Sequence, residues 1–192
     1  MSKLLISVLK LGVIVFLGAN WLPAQGQSLP SSQHAKRFTW SLTYSVKDDL
    51  LPEGFAYSPV LFLGQYQFAR LGPFDAYLEG QFAGVTTFDG REGDYEFGFN
   101  LGIRYQRPLL QDLHFTASLG SGPYWVTVDT GRQADGFIFS DNLDMGLSYH
   151  LPETRTQFQL RGRYRHISNA GLQEPNGGID NFFLIFGFGW RM

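Results

Sequence analysis

A histidine, a serine and an aspartate fall close together near the end of this 192-residue chain, as His166, Ser168 and Asp180. His166 and Ser168 are two residues apart, so in an extended strand both side chains leave the same face, about 7 Å apart along the chain. They continue the parity of Phe158, Leu160, Gly162 and Tyr164. Read backward from Trp190 through Phe188, Phe186, Leu184 and Phe182, the same apolar parity arrives at Asp180. If residues 169–179 connect two antiparallel strands, a symmetric register sets His166 opposite Asp180, with Cβ atoms about 4.5–5.5 Å apart. Such a trio supports acyl transfer to water. The histidine takes the serine proton, the alkoxide attacks an ester carbonyl, and the aspartate holds the imidazole tautomer and stabilises its charged form. Asn169 and the backbone amides near Ala170 and Gly171 are placed to donate to the oxyanion. The competing reading is ordinary rim polarity, since charged residues near the membrane interface of a barrel cost only about 0–1 kcal/mol.

The elements that must position these groups are strands. From Phe38 onward, apolar and polar residues alternate with period two in eight successive runs, with no competing helical period. Phe38, Trp40, Leu42, Tyr44 and Val46 share one parity in the first run. In the fourth, Tyr95, Phe97, Phe99, Leu101, Ile103 and Tyr105 oppose Asp94, Glu96, Asn100, Arg104 and Gln106. The connections alternate as well. Those at 70–73, 107–111 and 151–155 are tight and each contains a proline, whereas 47–54, 87–93 and 129–136 are longer and polar. Short turns on the periplasmic side and longer loops outside are the plan of an outer-membrane barrel. The expected fold is therefore an all-β, eight-stranded antiparallel transmembrane β-barrel of the outer membrane over residues 38–192. The chain also ends on an aromatic strand, as assembled outer-membrane barrels do.

Composition separates this from a soluble barrel. Eighteen Phe and 23 Gly accompany a mean hydropathy of only −0.11. The apolar parity carries more bulk than a small closed lumen holds, so it faces lipid. The polar parity supplies Glu79, Glu96, Arg104, Arg161, Arg163 and Arg165, expected to pair across a narrow interior that is filled rather than open. The 15 basic and 17 acidic side chains give no basic field for nucleic acid. Zero cysteines exclude disulfides, thiol catalysis and lipoprotein acylation.

Lys3 and Lys10, an apolar run from Leu11 to Leu17 and the small residues of Ala24-Gln25-Gly26 read as a signal peptide over 1–26, followed by a periplasmic lead-in over 27–37. The run is far shorter than the roughly 20 residues of a membrane-spanning helix. With the N-terminus periplasmic, strand seven runs outward, and the His166 patch lies at the outer leaflet beside lipopolysaccharide.

Other chemistry-bearing residues read more plainly. Asp141 lies on the lipid-facing parity and, across the turn at Pro152, would neighbour Tyr164. It is a second candidate acid, but the expectation is a β-bulge that turns it inward. His34, His114 and His150 have no metal-ligand spacing, so no metal is expected. Gly120-Ser121-Gly122 lacks the full G-x-S-x-G pattern and reads as a glycine-relieved strand. Arg91 and Arg132 fall in outer loops, within reach of lipid phosphates or simply solvated.

The stretch His166-Ile167-Ser168-Asn169-Ala170-Gly171-Leu172, with Pro175-Asn176, Gly178 and Ile179-Asp180, resembles the signature of the lipid A 3-O-deacylases, outer-membrane enzymes of the PagL type. The resemblance implies an eight-stranded barrel with a lipid-facing site and hydrolysis of the ester-linked acyl chain at position 3 of lipid A. It also implies His166 as general base, Ser168 as nucleophile and Asn169 as an oxyanion contributor. Asp180 falls where the family usually has glutamate, so the shorter acid must approach His166 more closely. The expectation is an outer-membrane serine esterase acting on lipid A without metal or organic cofactor, as a monomer or dimer. A catalytically silent barrel of the same family, a phospholipase and a small transport barrel are the alternatives.

Overall fold

The computed structural model describes residues 36–45, 57–87 and 93–192. The expected signal peptide, most of the lead-in, the loop at 47–54, most of the loop at 87–93, Arg91 and His34 lie outside the described residues. Eight strands follow one another: β1 (Arg37–Ser45), β2 (Tyr57–Leu71), β3 (Phe74–Thr87), β4 (Asp94–Pro108), β5 (Leu113–Val126), β6 (Gly136–His150), β7 (Thr156–Ser168) and β8 (Ile179–Arg191). Each pairs antiparallel with the next, and β1 closes onto β8 from Arg37↔Arg191 to Ser45↔Phe183. Closure leaves no open sheet edge, the condition for strands to cross a bilayer. Arg37, expected in the lead-in, already belongs to β1.

Alternation sorts the side chains into two environments. Leu42, Val60, Phe62, Phe82, Phe97, Phe99, Leu101, Ile103, Leu119, Phe158, Leu160, Phe186 and Phe188 stand exposed on the outer wall. That much exposed aromatic surface has lipid as its matching solvent. The lumen holds charge in compensated form. Arg163 donates through Nε to Asp144 Oδ1 at 2.6 Å and through Nη2 to Glu79 Oε2 at 3.0 Å. Arg161 reaches Asp144 Oδ2 at 2.7 Å, and Arg165 reaches Glu96 Oε1 at 2.6 Å and Asn181 Oδ1 at 2.8 Å. The expected pairing of interior charges is what the structure contains.

The lumen is not uniformly polar, however. Leu61, Leu63, Ala83, Phe183 and Ile185 form one buried apolar cluster. A second gathers Tyr57, Val85, Tyr124, Val126, Val128, Ile138, Ile167 and Ile179. These residues share the inward parity with the ion pairs, so alternation locates them inside but does not foretell their segregation from the charges. The second cluster includes residues at the outer ends of β2, β5, β7 and β8 and the adjoining Val128. It gives the outer end of the barrel a packed apolar plug.

Candidate active site

The site is built on the β7–β8 hairpin. Ile167 lies between His166 and Ser168 and pairs with Ile179, which precedes Asp180. Both isoleucines are fully buried in the plug, and burial of one parity of a strand forces its neighbours to the opposite face. His166, Ser168 and Asp180 are held on the outer wall for this reason. The register sets His166 opposite Asp180, as the symmetric hairpin requires. His166 Nδ1 and Asp180 Oδ1 are 2.7 Å apart, with the side chains 33% and 20% exposed. The aspartate, one methylene shorter than glutamate, reaches the imidazole because the two residues face each other directly. A carboxylate only accepts, so Nδ1 carries the proton, and in the neutral ring Nε2 presents a lone pair.

Tyr164 is a participant that alternation alone hides. It sits on the apolar parity and packs against Phe182 with ring centroids 5.4 Å apart, yet its hydroxyl donates to Asp180 Oδ1 at 2.6 Å. One oxygen of Asp180 thus accepts from both Tyr164 and His166. The available signal was positional: Tyr164 is two residues from His166 on the same face and pairs with Phe182, two residues from Asp180.

Asp141 corrects two expectations. It directly opposes His166 rather than neighbouring Tyr164, which pairs with Leu143 instead. The turn between β6 and β7 leaves 151–155 between the strands and pairs His150 with Gln157, which sets this register. Nor does a bulge turn Asp141 inward: the β6–β7 register is continuous from Phe139 to His150, and Asp141 stays exposed on the wall. Its Oδ1 accepts a hydrogen bond from Ser121 Oγ at 2.6 Å. Ser121 itself opposes Asp141 on β5, so Ser121, Asp141, His166 and Asp180 form one row across four strands.

The loops above the row are tied to one another. In the β7–β8 connection, Leu172 N–H donates to Asn169 O, and Ala170 and Gly171 between them have φ of 55° and 81°. Positive φ at both central positions is the mark of a type I′ turn. The buried Asn169 side chain organises it: Oδ1 accepts from Gly171 N–H at 3.0 Å and Nδ2 donates to Gln173 O at 2.6 Å. The Gly171 amide, expected at the oxyanion, is therefore turned into the loop. Across from it, Arg132 donates through Nε to Gly178 O at 2.8 Å and through Nη2 to Gly177 O at 2.9 Å. Gly178 N–H donates to Gln133 Oε1 at 3.2 Å, and Gly177 N–H to Arg132 O at 2.7 Å. Arg132, a loop charge by sequence, is thus a clasp between two loops. It presses Gly178 against the imidazole so closely that a Cβ there would lie 2.7 Å from His166 Cε1.

At the opposite end of the barrel, the His114 and His150 rings meet edge to face at 4.8 Å. Among the described residues no three His, Cys, Asp or Glu side chains are arranged to hold a metal ion.

Comparison with known proteins follows this geometry. Residues 16–189 match the family model described as lipid A 3-O-deacylase (PagL). No curated protein matches. Among solved structures, the outer membrane enzyme PagL is 15% identical, with 79% of this chain and 97% of that one covered at a TM-score of 0.53. The N-terminal β-barrel domain of Pseudomonas aeruginosa OprF is 11% identical, with 83% and 98% covered at 0.57. Neisserial surface protein A is 11% identical, with 82% and 96% covered at 0.53. At these identities the likeness establishes the fold alone, a β-barrel of the outer-membrane type, and the family match supports the outer membrane as the protein's location.

Proposed function

The chain belongs to the lipid A 3-O-deacylase (PagL) family, and from that premise we propose that it is a serine esterase that removes the acyl chain at the 3-O position of lipid A. The observation that carries this reading is the 2.7 Å contact between His166 Nδ1 and Asp180 Oδ1 on a wall otherwise made for lipid, with Ser168 on the same face of β7. An export signal over 1–26 fits the same address.

In the proposed reaction His166 Nε2 takes the Ser168 hydroxyl proton as Oγ bonds to the ester carbonyl carbon. Asp180, held by Tyr164, orients the ring and stabilises the imidazolium. The tetrahedral intermediate collapses by breaking the bond to the sugar oxygen, which leaves with the proton from Nε2. Water then attacks the acyl-serine and gives a proton to Nε2, and the second tetrahedral intermediate collapses by breaking the bond to Ser168 Oγ, which takes that proton from Nε2 as the fatty acid is released. Asn169 Nδ2, through its second proton, and the Ala170 amide supply the oxyanion donors, since the Gly171 amide bonds to Asn169 Oδ1. None of these steps calls on a metal or an organic cofactor. The substrate is lipid A of lipopolysaccharide in the outer leaflet, reached sideways from the membrane by a monomer.

Mass spectrometry of lipid A incubated with the purified protein and with its Ser168→Ala variant tests this reading. The expected result is loss of one hydroxyacyl chain with the first and an intact spectrum with the second. Identical spectra from both proteins would refute it.

A further inference from the structure

Ser121 and Asp141 are not rim residues. Each lies five positions inside the outer end of its strand, measured from Val126 on β5 and Gly136 on β6. Along the wall-facing parity of β6 the order is Phe137, Phe139, Asp141, Leu143, Met145, and on β5 it is Leu119, Ser121, Pro123, Trp125. Apolar groups therefore stand on both sides of the pair along each strand. A carboxylate placed in such a stripe loses hydration and is retained only where it gains hydrogen bonds. Ser121 Oγ supplies one at 2.6 Å, while a carboxylate accepts about four.

Position says what would donate the others. Asp141 opposes His166, so Ser168, two residues further along β7, is its diagonal neighbour at about 7–8 Å. Ser168 instead opposes Phe139, toward the outer end, so Asp141 lies inward of the nucleophile. Inward is the direction in which the acyl chain runs from an ester held at Ser168. The acyl chains attached directly to the sugars of lipid A carry a hydroxyl two carbons beyond the carbonyl. A carbonyl within attacking distance of Ser168 Oγ brings that hydroxyl to the level of Asp141, with Leu143 and Leu119 beyond it for the hydrocarbon. We propose that Ser121 and Asp141 form a subsite for the hydroxyl of a 3-hydroxyacyl chain, selecting hydroxylated over plain acyl esters. The assignment rests on the deacylase reading above and adds to it the residues that recognise the departing chain.

The test uses two amphiphiles that differ only in the acyl group, a 3-hydroxyacyl and an unsubstituted acyl ester of one N-acylated glucosamine, in detergent micelles. The full protein is expected to favour the hydroxylated ester in kcat/KM by roughly 10- to 100-fold, the range of one hydrogen bond to a charged acceptor. In Ser121→Ala and Asp141→Ala that ratio is expected to fall toward one, and Ser121→Thr is expected to restore most of it. No preference in the parent protein overturns the proposal. So does an equal loss on both esters in Asp141→Ala with the ratio preserved, which would make Asp141 a positioning residue for His166. Retention of the two amphiphiles by Ser168→Ala, which needs no turnover, separates failure of the subsite from failure of the enzyme. Preferential retention that Asp141→Ala abolishes supports the subsite even if neither ester is cleaved, and equal retention of both amphiphiles overturns it.

Discussion

The lumen and the outer-end wall both hold carboxylates, and they hold them differently. Asp144 is buried in the lumen, where Arg161 and Arg163 donate three hydrogen bonds to its two oxygens. Asp180 lies on the wall, partly exposed, with Tyr164 and His166 on a single oxygen. The first carboxylate is matched by fixed positive charge and has nothing further to do. The second faces a base whose charge can change, and it can stabilise the imidazolium only when that forms. On the proposed function, residues of the same type are structural inside the barrel and chemical outside it, because permanent cations neutralise one group and a titratable partner engages the other.

Breaking each side should give opposite phenotypes. The largest expected effect is on stability. Asp144→Ala leaves Arg161 buried without a carboxylate and Arg163 with Glu79 alone, and should cost about 3–5 kcal/mol. Urea unfolding in micelles should show this while deacylation by the folded fraction persists. On the wall, Gly178→Ala brings a Cβ to 2.7 Å from the imidazole at a backbone φ of +65°. Displacing the base by a fraction of an ångström to an ångström should lower kcat by about 100-fold, with an unfolding midpoint that moves far less than in Asp144→Ala. The smallest effect is expected for Tyr164→Phe. It removes one hydrogen bond from Asp180 and should reduce kcat by roughly 3- to 10-fold, with little change in stability. A large stability loss in Tyr164→Phe, or loss of activity in the folded fraction of Asp144→Ala, would erase the distinction between the two regions.

Much of this division can be read in the residues before any fold is known. Alternation locates eight strands because lipid outside and packing inside make opposite demands on successive side chains. The His166–Asp180 pairing follows because a hairpin register is set by its turn and its apolar pattern. Four features escape that reasoning. Asp141 is misjudged because a charge on a lipid-facing stripe is costly, and a bulge is the cheaper inference until Ser121 is seen beside it. Tyr164 is hidden by its own chemistry, since its ring belongs to the wall while its hydroxyl belongs to the site. The clasp of Arg132 and Gln133 on Gly177 and Gly178 joins loops 45 residues apart in sequence and leaves no periodic trace. The Gly171 amide likewise looks free until the Asn169 side chain is placed.

The central claim, that a histidine-activated serine on the lipid face carries the chemistry, is tested most directly by covalent capture. The protein in micelles is treated with a long-chain fluorophosphonate, an ester mimic that phosphonylates activated serines, and the modified peptide is identified by mass spectrometry. The expected result is a single adduct on Ser168, reduced by orders of magnitude in His166→Ala and formed normally in Ser121→Ala. An adduct on Ser121, or labelling of Ser168 that is indifferent to His166, would contradict it.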